Sequence, residues 1–317
     1  MFANKTFSFV KHFKLFLIIS AILVVTGVVG LVTLPFGLNL FNMDVDFLGG
    51  VTMTYDLGQQ ADTAEVENLA KGVLEGKLSS VTTSGSTGTQ VVVKSLYVPN
   101  ETRDSLFDAI QAEYPDATVV SSSSVSASVS SDLRNSAMLS ALVAVLCMLI
   151  YIGIRFDFRS GLAAVCALCH DILVMLSAYI IFRIPFNANF IAAALTILGY
   201  SINATIVVFD RARENAKANP KVDFAEIMDK SIWQTMGRSI NTTITTLLTI
   251  TMVIIMGVTS IRNFCWPLFV GVLAGCYSSV CISGNIWVRL RKLRGQHLQF
   301  HKYRLLPYKT MPVRTGL

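Results

Sequence analysis

At 317 residues, with 53% hydrophobic and 15% charged side chains and a mean hydropathy of +0.57, the chain is too apolar and too charge-poor for an ordinary soluble protein. Its net charge of +6 comes without an aromatic-basic module, so nucleic acid is not an expected partner. The six cysteines all fall within apolar runs and imply no disulfide framework. What remains is a polytopic membrane protein.

Six runs, 15–34, 137–154, 161–182, 190–209, 240–258 and 264–288, are long enough to cross a bilayer. The basic, aromatic lead-in (Phe7, Phe9, Lys11, His12, Phe13, Lys14) suits a membrane interface. The first run has no convincing small-x-small cleavage site and reads as a retained anchor. The chain then divides into a lead-in with the first span (1–38), a domain with a hinge (39–134), a five-helix bundle with a loop at 210–237 (135–288) and a basic tail (289–317) suited to anionic lipid. Of 26 Lys and Arg residues, 19 lie in the lead-in, the connections after the second and fourth spans, and the tail. Positive charge stays inside, so both termini are expected in the cytoplasm and 39–134 outside.

After the first span comes MDVDFLGG, in which Gly49 and Gly50 permit backbone angles closed to other residues and let a strand approach another backbone closely. Strand signals at 51–57, 79–83, 90–97 and 117–120 alternate with helices at 63–78, capped by Asp62, and 100–114, around a GSTG turn at 85–88. The order β-α-β-β-α-β predicts a small ferredoxin-like α+β sandwich, with a core sized for docking. The run SSSSVSASVSS at 121–131 is polar enough for a flexible hinge. This domain holds no Ser-His-Asp set, carboxylate dyad or phosphate loop, so no enzyme, cofactor or metal is expected. Cys166 and Cys169 have CxxC spacing, but on an apolar helix they read as core packing.

Inside the bundle the polar residues stand out. His170 and Asp171 lie about nine residues into the third run, and Asp171 either works in a proton path or pins neighbouring helices. In the fourth run Thr196, Gly199, Asn203 and Asp210 recur at spacings of three, four and seven, a stripe that must face protein or water. The 210–237 connection has helical periodicity (Phe224, Ile227, Met228, Ile232, Trp233), which predicts a helix on the membrane interface. Arg238 stands at the membrane boundary, with Asn241, Thr245 and Thr249 continuing a stripe able to hold water for protons. In the last run Gly271, Gly275, Ser279 and Ser283 recur every four residues, a face on which another backbone can lie close.

Several of these segments resemble the SecF family of bacterial protein-export subunits. GYSINATIVVFDRAREN, with Gly199, Tyr200, Asp210 and Arg211, is similar to the family's fourth membrane helix, and Asp46, Phe47, Gly49 and Gly50 match its Asp-Phe-x-Gly-Gly signature. IYIGIRFDFRSGLAAV, the His170–Asp171 pair, SIWQTMGRSINTTITTLL and GVLAGCYSS match further segments. The resemblance implies half of an RND-type transporter in the bacterial cytoplasmic membrane. It would work with a SecD-like chain and a SecY-type channel on exported unfolded polypeptide, using the proton-motive force. One position departs: Ala204 stands where the family pattern has a membrane-embedded Asp. Protons, if they flow, would then pass by a SecD carboxylate opposite Arg238, with Asp171 as a further candidate. The other readings are a scaffold without proton coupling and an RND-type small-molecule or lipid exporter half. A serine protease built on Ser201 and His170 lacks the glycines for an oxyanion hole.

Overall fold

In the computed structural model, which describes residues 7–36, 40–84, 88–257 and 259–292, six helical stretches are long and apolar enough to cross a membrane. The first, α1 (Phe13–Thr33), ends in a 3-10 turn and leads to a two-residue strand β1 (Asn42–Met43) and a single helical turn α2 (Val45–Leu48). The α/β domain follows: β2 (Gly50–Asp56), α3 (Thr63–Leu74), β3 (Leu78–Ser84), β4 (Gln90–Ser95), α4 (Asn100–Glu113) and β5 (Thr118–Val125). Then come α5 (Ala127–Arg155), α6 (Phe158–Ile181), β6 (Pro185–Phe186), α7 (Asn189–Ala218), α8 (Phe224–Met256) and α9 (Thr259–Tyr277). A π-helical segment, Ser278–Ser283, joins α9 to α10 (Gly284–Lys292).

The sheet runs β3-β4-β2-β5 with every pair antiparallel, the ferredoxin-like arrangement expected of β-α-β-β-α-β. Its core is one set of interleaved side chains: Val51, Met53 and Tyr55 of β2, Val91 and Val93 of β4, Val66, Ala70 and Leu74 of α3, Leu106 and Ile110 of α4. Asp62 caps α3 by accepting from the Ala64 N–H. The helix stops at Leu74, short of the expected 78, because Glu75 and Gly76 take positive φ and Leu78 joins the sheet. Residues 85–87 of the GSTG turn lie outside the described residues.

Three expectations about the connecting segments and tail are overturned. The serine run is no hinge: β5 continues through Ser121–Ser124, paired with β2, and Ser126 caps α5 by accepting from the Val129 N–H. Serine side chains cost a strand little when its backbone groups are paired. The 210–237 connection is no interface helix either, since α7 runs on to Ala218 and α8 begins at Phe224. Ile227, Met228 and Ile232 bury themselves against Phe209 and Trp287 rather than in lipid. Arg289, expected to open an irregular tail, continues helix α10 to Lys292, its guanidinium 4.3 Å from the Phe13 ring centre; residues 293–317 lie outside the described residues.

α6 and the last span form the centre of the bundle, while α1 and α5 expose Leu15, Leu17, Ile18, Leu139, Leu142, Leu146 and Ile150 along their length. Such sides suit lipid. Cys166 and Cys169 are exposed on α6 and not in the core: the polar and small side of α6 turns inward to meet α7 and the last span, leaving the cysteines outside. Aromatic side chains close both ends of the bundle, Phe9, Phe156, Phe209 and Trp287 at one and Phe41, Tyr179, Phe186 and Phe190 at the other.

Candidate functional site

The polar residues singled out in the bundle do not gather at one place. α7 separates two groups, because Ser201 on it points inward and Asn203 outward. Inward lies Asp171, with no exposed surface. It accepts from Ser201 Oγ of α7 at 2.5 Å and Ser278 Oγ of the π segment at 2.8 Å, and His170 Nδ1 is 2.9 Å away. Three spans thus share one carboxyl group. A buried carboxyl needs such donors, since each polar group left unpaired there costs about 1–3 kcal/mol. Asp171 stands out in the sequence but its partners do not: Ser278 lies beside the periodic stripe of Ser279 and Ser283 and not on it, and Ser201 carries no mark of a carboxyl partner. The π turn brings Ser278 to Asp171, as such bulges do at functional positions. The edge of the same span is Gly271, where a β-carbon would lie 2.0 Å from Ile197 Cδ1, and Gly275, where it would meet Ser201 at 3.2 Å. Ser279 is fully buried beside them. The small face packs α9 on α7.

Outward, Thr196, Gly199 and Asn203 of α7 and Arg238, Asn241, Thr245 and Thr249 of α8 are exposed. α7 and α8 are adjacent, joined by Tyr200 Oη donating to Thr243 Oγ1 at 2.9 Å, so the two stripes lie on neighbouring helices. The threonines differ from the expectation of a water-holding row. Thr196, Thr245 and Thr249 each donate to the carbonyl four residues back, which removes most of their need for another partner. Asn203, Asn241 and Arg238 have no such local solution, and no side-chain partner of theirs occurs among the described residues. Amide and guanidinium groups cannot face hydrocarbon cheaply.

The motif residues Asp210 and Arg211 do structural work at the far end of α7. Arg155 donates to Asp210 at 2.8 Å, Arg211 Nε to Gln234 Oε1 at 2.6 Å, and Asn215 Nδ2 to Ser231 and Gln234 at 2.7 and 2.8 Å. These bonds tie the α5–α6 elbow to the α7–α8 hairpin. At the opposite end, Asp46 accepts from the Ala188 N–H at 3.3 Å and Phe47 packs on Phe186, with ring centres 5.7 Å apart. Gly49 takes φ +79, and a β-carbon on Gly50 would lie 2.1 Å from the Ser95 carbonyl oxygen, so β2 enters the sheet only with glycine there. Beside them sits Asp44, a buried acid that no sequence pattern marked.

Six spans with an α/β domain after the first, a buried polar knot and a bare polar face define a half-transporter architecture of the RND type. Residues 106–293 match the family described as "Protein export membrane protein SecD/SecF, C-terminal". The chain is 34% identical over 293 residues to the "Protein translocase subunit SecF" of Alicyclobacillus acidocaldarius, covering 90% of this chain and 93% of that one. It is 34% identical to the "Protein translocase subunit SecDF" of Bacillus subtilis, covering 88% of this chain and 37% of the longer one. The crystal structure of SecDF from Thermus thermophilus superposes with a TM-score of 0.75 at 30% identity, over 92% of this chain and 40% of that one. The chain belongs to the SecF family.

Proposed function

We propose that the chain is an accessory subunit of the Sec translocase, working with a SecD-like chain beside a SecY-type channel on unfolded polypeptide. Its seat is the bacterial cytoplasmic membrane, with both termini inside and the α/β domain outside, as the distribution of Lys and Arg favours. The observation that carries this reading is the uncovered polar face of α7 and α8, where Asn203, Asn241 and Arg238 lack partners in the membrane zone. A second helical half supplies what lipid cannot, and relatives named SecDF, of which this chain spans about 40% or less, support a SecD-like companion.

Ala204 bears on the energetics, since neither it nor Asn203 can carry a proton near neutral pH. Protons pass instead at a carboxylate of the companion placed against Arg238. Asp171 lies on the other side of α7 and serves that face only through the packing of the helix. The first test is purification of the tagged chain from its own membranes in mild detergent, with identification of what accompanies it. A SecD-like chain and channel subunits are expected, whereas an efflux partner with large outer domains, or no companion, overturns the reading. In a reconstituted complex, Arg238→Leu removes the gradient-dependent part of export and Ala204→Asp leaves it within about twofold. A several-fold gain in Ala204→Asp would show that the missing carboxylate limits the rate and that no alternative path is intact.

A further inference from the structure

Asp44 lies at the junction of the α/β domain with the bundle and is only 1% exposed. Its side chain is shared by three separate parts of the chain. Lys94 of β4 donates to Oδ2 at 2.9 Å, and Asn187, just before α7, donates to the same oxygen at 3.2 Å. Oδ1 accepts from the Val45 N–H at 2.8 Å, and Ser79 Oγ of β3 lies 3.3 Å from it. The Asp44 N–H donates to the Phe186 carbonyl at 3.1 Å, continuing the parallel pairing of β1 with β6. Asp46 adds a second bond to the same turn, accepting from the Ala188 N–H at 3.3 Å, with Lys94 Nζ at 3.8 Å. A carboxylate this buried needs its ammonium and neutral donors, since removing one partner leaves an uncompensated buried charge.

We infer that Asp44 is a positioning residue that fastens the sheet of the α/β domain to the outer end of α7, so that the two move as one body. Asn187 and Ala188 immediately precede α7, and α7 is the helix that carries Asn203 on the bare face of the bundle. A shift of α7 is therefore delivered to β3 and β4 through Ser79 and Lys94, without passing along the covalent link through α5. The use of such a joint in export rests on the translocase reading. The joint itself does not, and the measurement below reads only the joint.

The test is the distance distribution between spin labels carried by unnatural residues at Lys71 on α3 and Phe182 at the end of α6, in the full chain in lipid. Both positions are exposed. The unaltered chain is expected to give one narrow peak. Asp44→Asn combined with Lys94→Met removes both charges together, avoiding an orphaned buried ion, and is expected to keep the melting temperature while broadening the peak about twofold. Asn187→Ala deletes the Asp44 side chain's bond to the bundle, leaves the backbone bond to Phe186 and the Asp46 bond to Ala188, and gives the smaller broadening; it serves if the double variant fails to fold. An unchanged width in either stably folded variant overturns the joint and leaves Asp44 a local fastening.

Discussion

The two polar groups of the bundle are built from similar residues and end in opposite conditions. Around Asp171, Oδ2 has donors from two other spans and Oδ1 lies against His170 of its own helix, and the group is buried. Around Asn203, Asn241 and Arg238 the side chains stand exposed on two adjacent helices with no side-chain partner among the described residues. The first group draws its hydrogen bonds from within one chain, with His170 Nε2 alone of its atoms buried and unpaired. In the proposed reading the second is half of a site that another chain completes. The two groups lie on opposite sides of α7.

The sharpest way to break this contrast is to remove Asp171. Asp171→Ala strands Ser201, Ser278 and His170 in a dry interior and should cost the isolated chain about 3 kcal/mol, read from its unfolding by a denaturing detergent. Asp171→Asn keeps one acceptor oxygen, enough for the two serines, on a neutral group and should recover part of that loss. If Asp171→Ala unfolds like the unaltered chain, the knot is not what holds α6, α7 and the last span together.

A gentler change sharpens the same point. Ser278→Ala deletes one donor and leaves Ser201, so the expected cost is about 1 kcal/mol. The pair Ser201→Ala and Ser278→Ala should depart from additivity by at least about 0.5 kcal/mol, because both bonds end on Asp171 Oδ2. Additive costs would mean that the two serines act independently, through packing.

How much of this was legible in the sequence follows the range of the interactions. The spans and the β-α-β-β-α-β order rest on periodicity and turn residues within short windows, and the structure has both. The serine run misled because composition describes side chains, whereas β5 is held by its backbone. The 210–237 periodicity was real, but its apolar face meets Phe209 and Trp287, a contact between distant segments that no local window contains. Asp171 was visible as an ion in an apolar run, yet its partners were not, since Ser278 reaches it only through a π turn. Asp44 was invisible for the same reason: its ligands come from residues 79, 94 and 187.

The smallest effect on the isolated chain, and the one that decides most about the open face, is expected at Asn241. Asn241→Leu exchanges an exposed amide for an apolar side chain, so the chain alone should keep its stability within about 0.5 kcal/mol. In a membrane the exchange is locally favourable, because leucine satisfies lipid where asparagine does not. If the face is lipid-exposed in life, the variant is neutral or slightly stabilising in every assay. If a second chain covers it, the same substitution removes a polar contact between spans and should lower recovery of the companion in mild detergent several-fold, with the chain's own unfolding unchanged. Arg238→Leu should act in the same direction, and the two together should cost no more than loss of the companion. A stable chain that loses its partner is the signature of an unfinished surface, and one that keeps its partner would place the interface elsewhere.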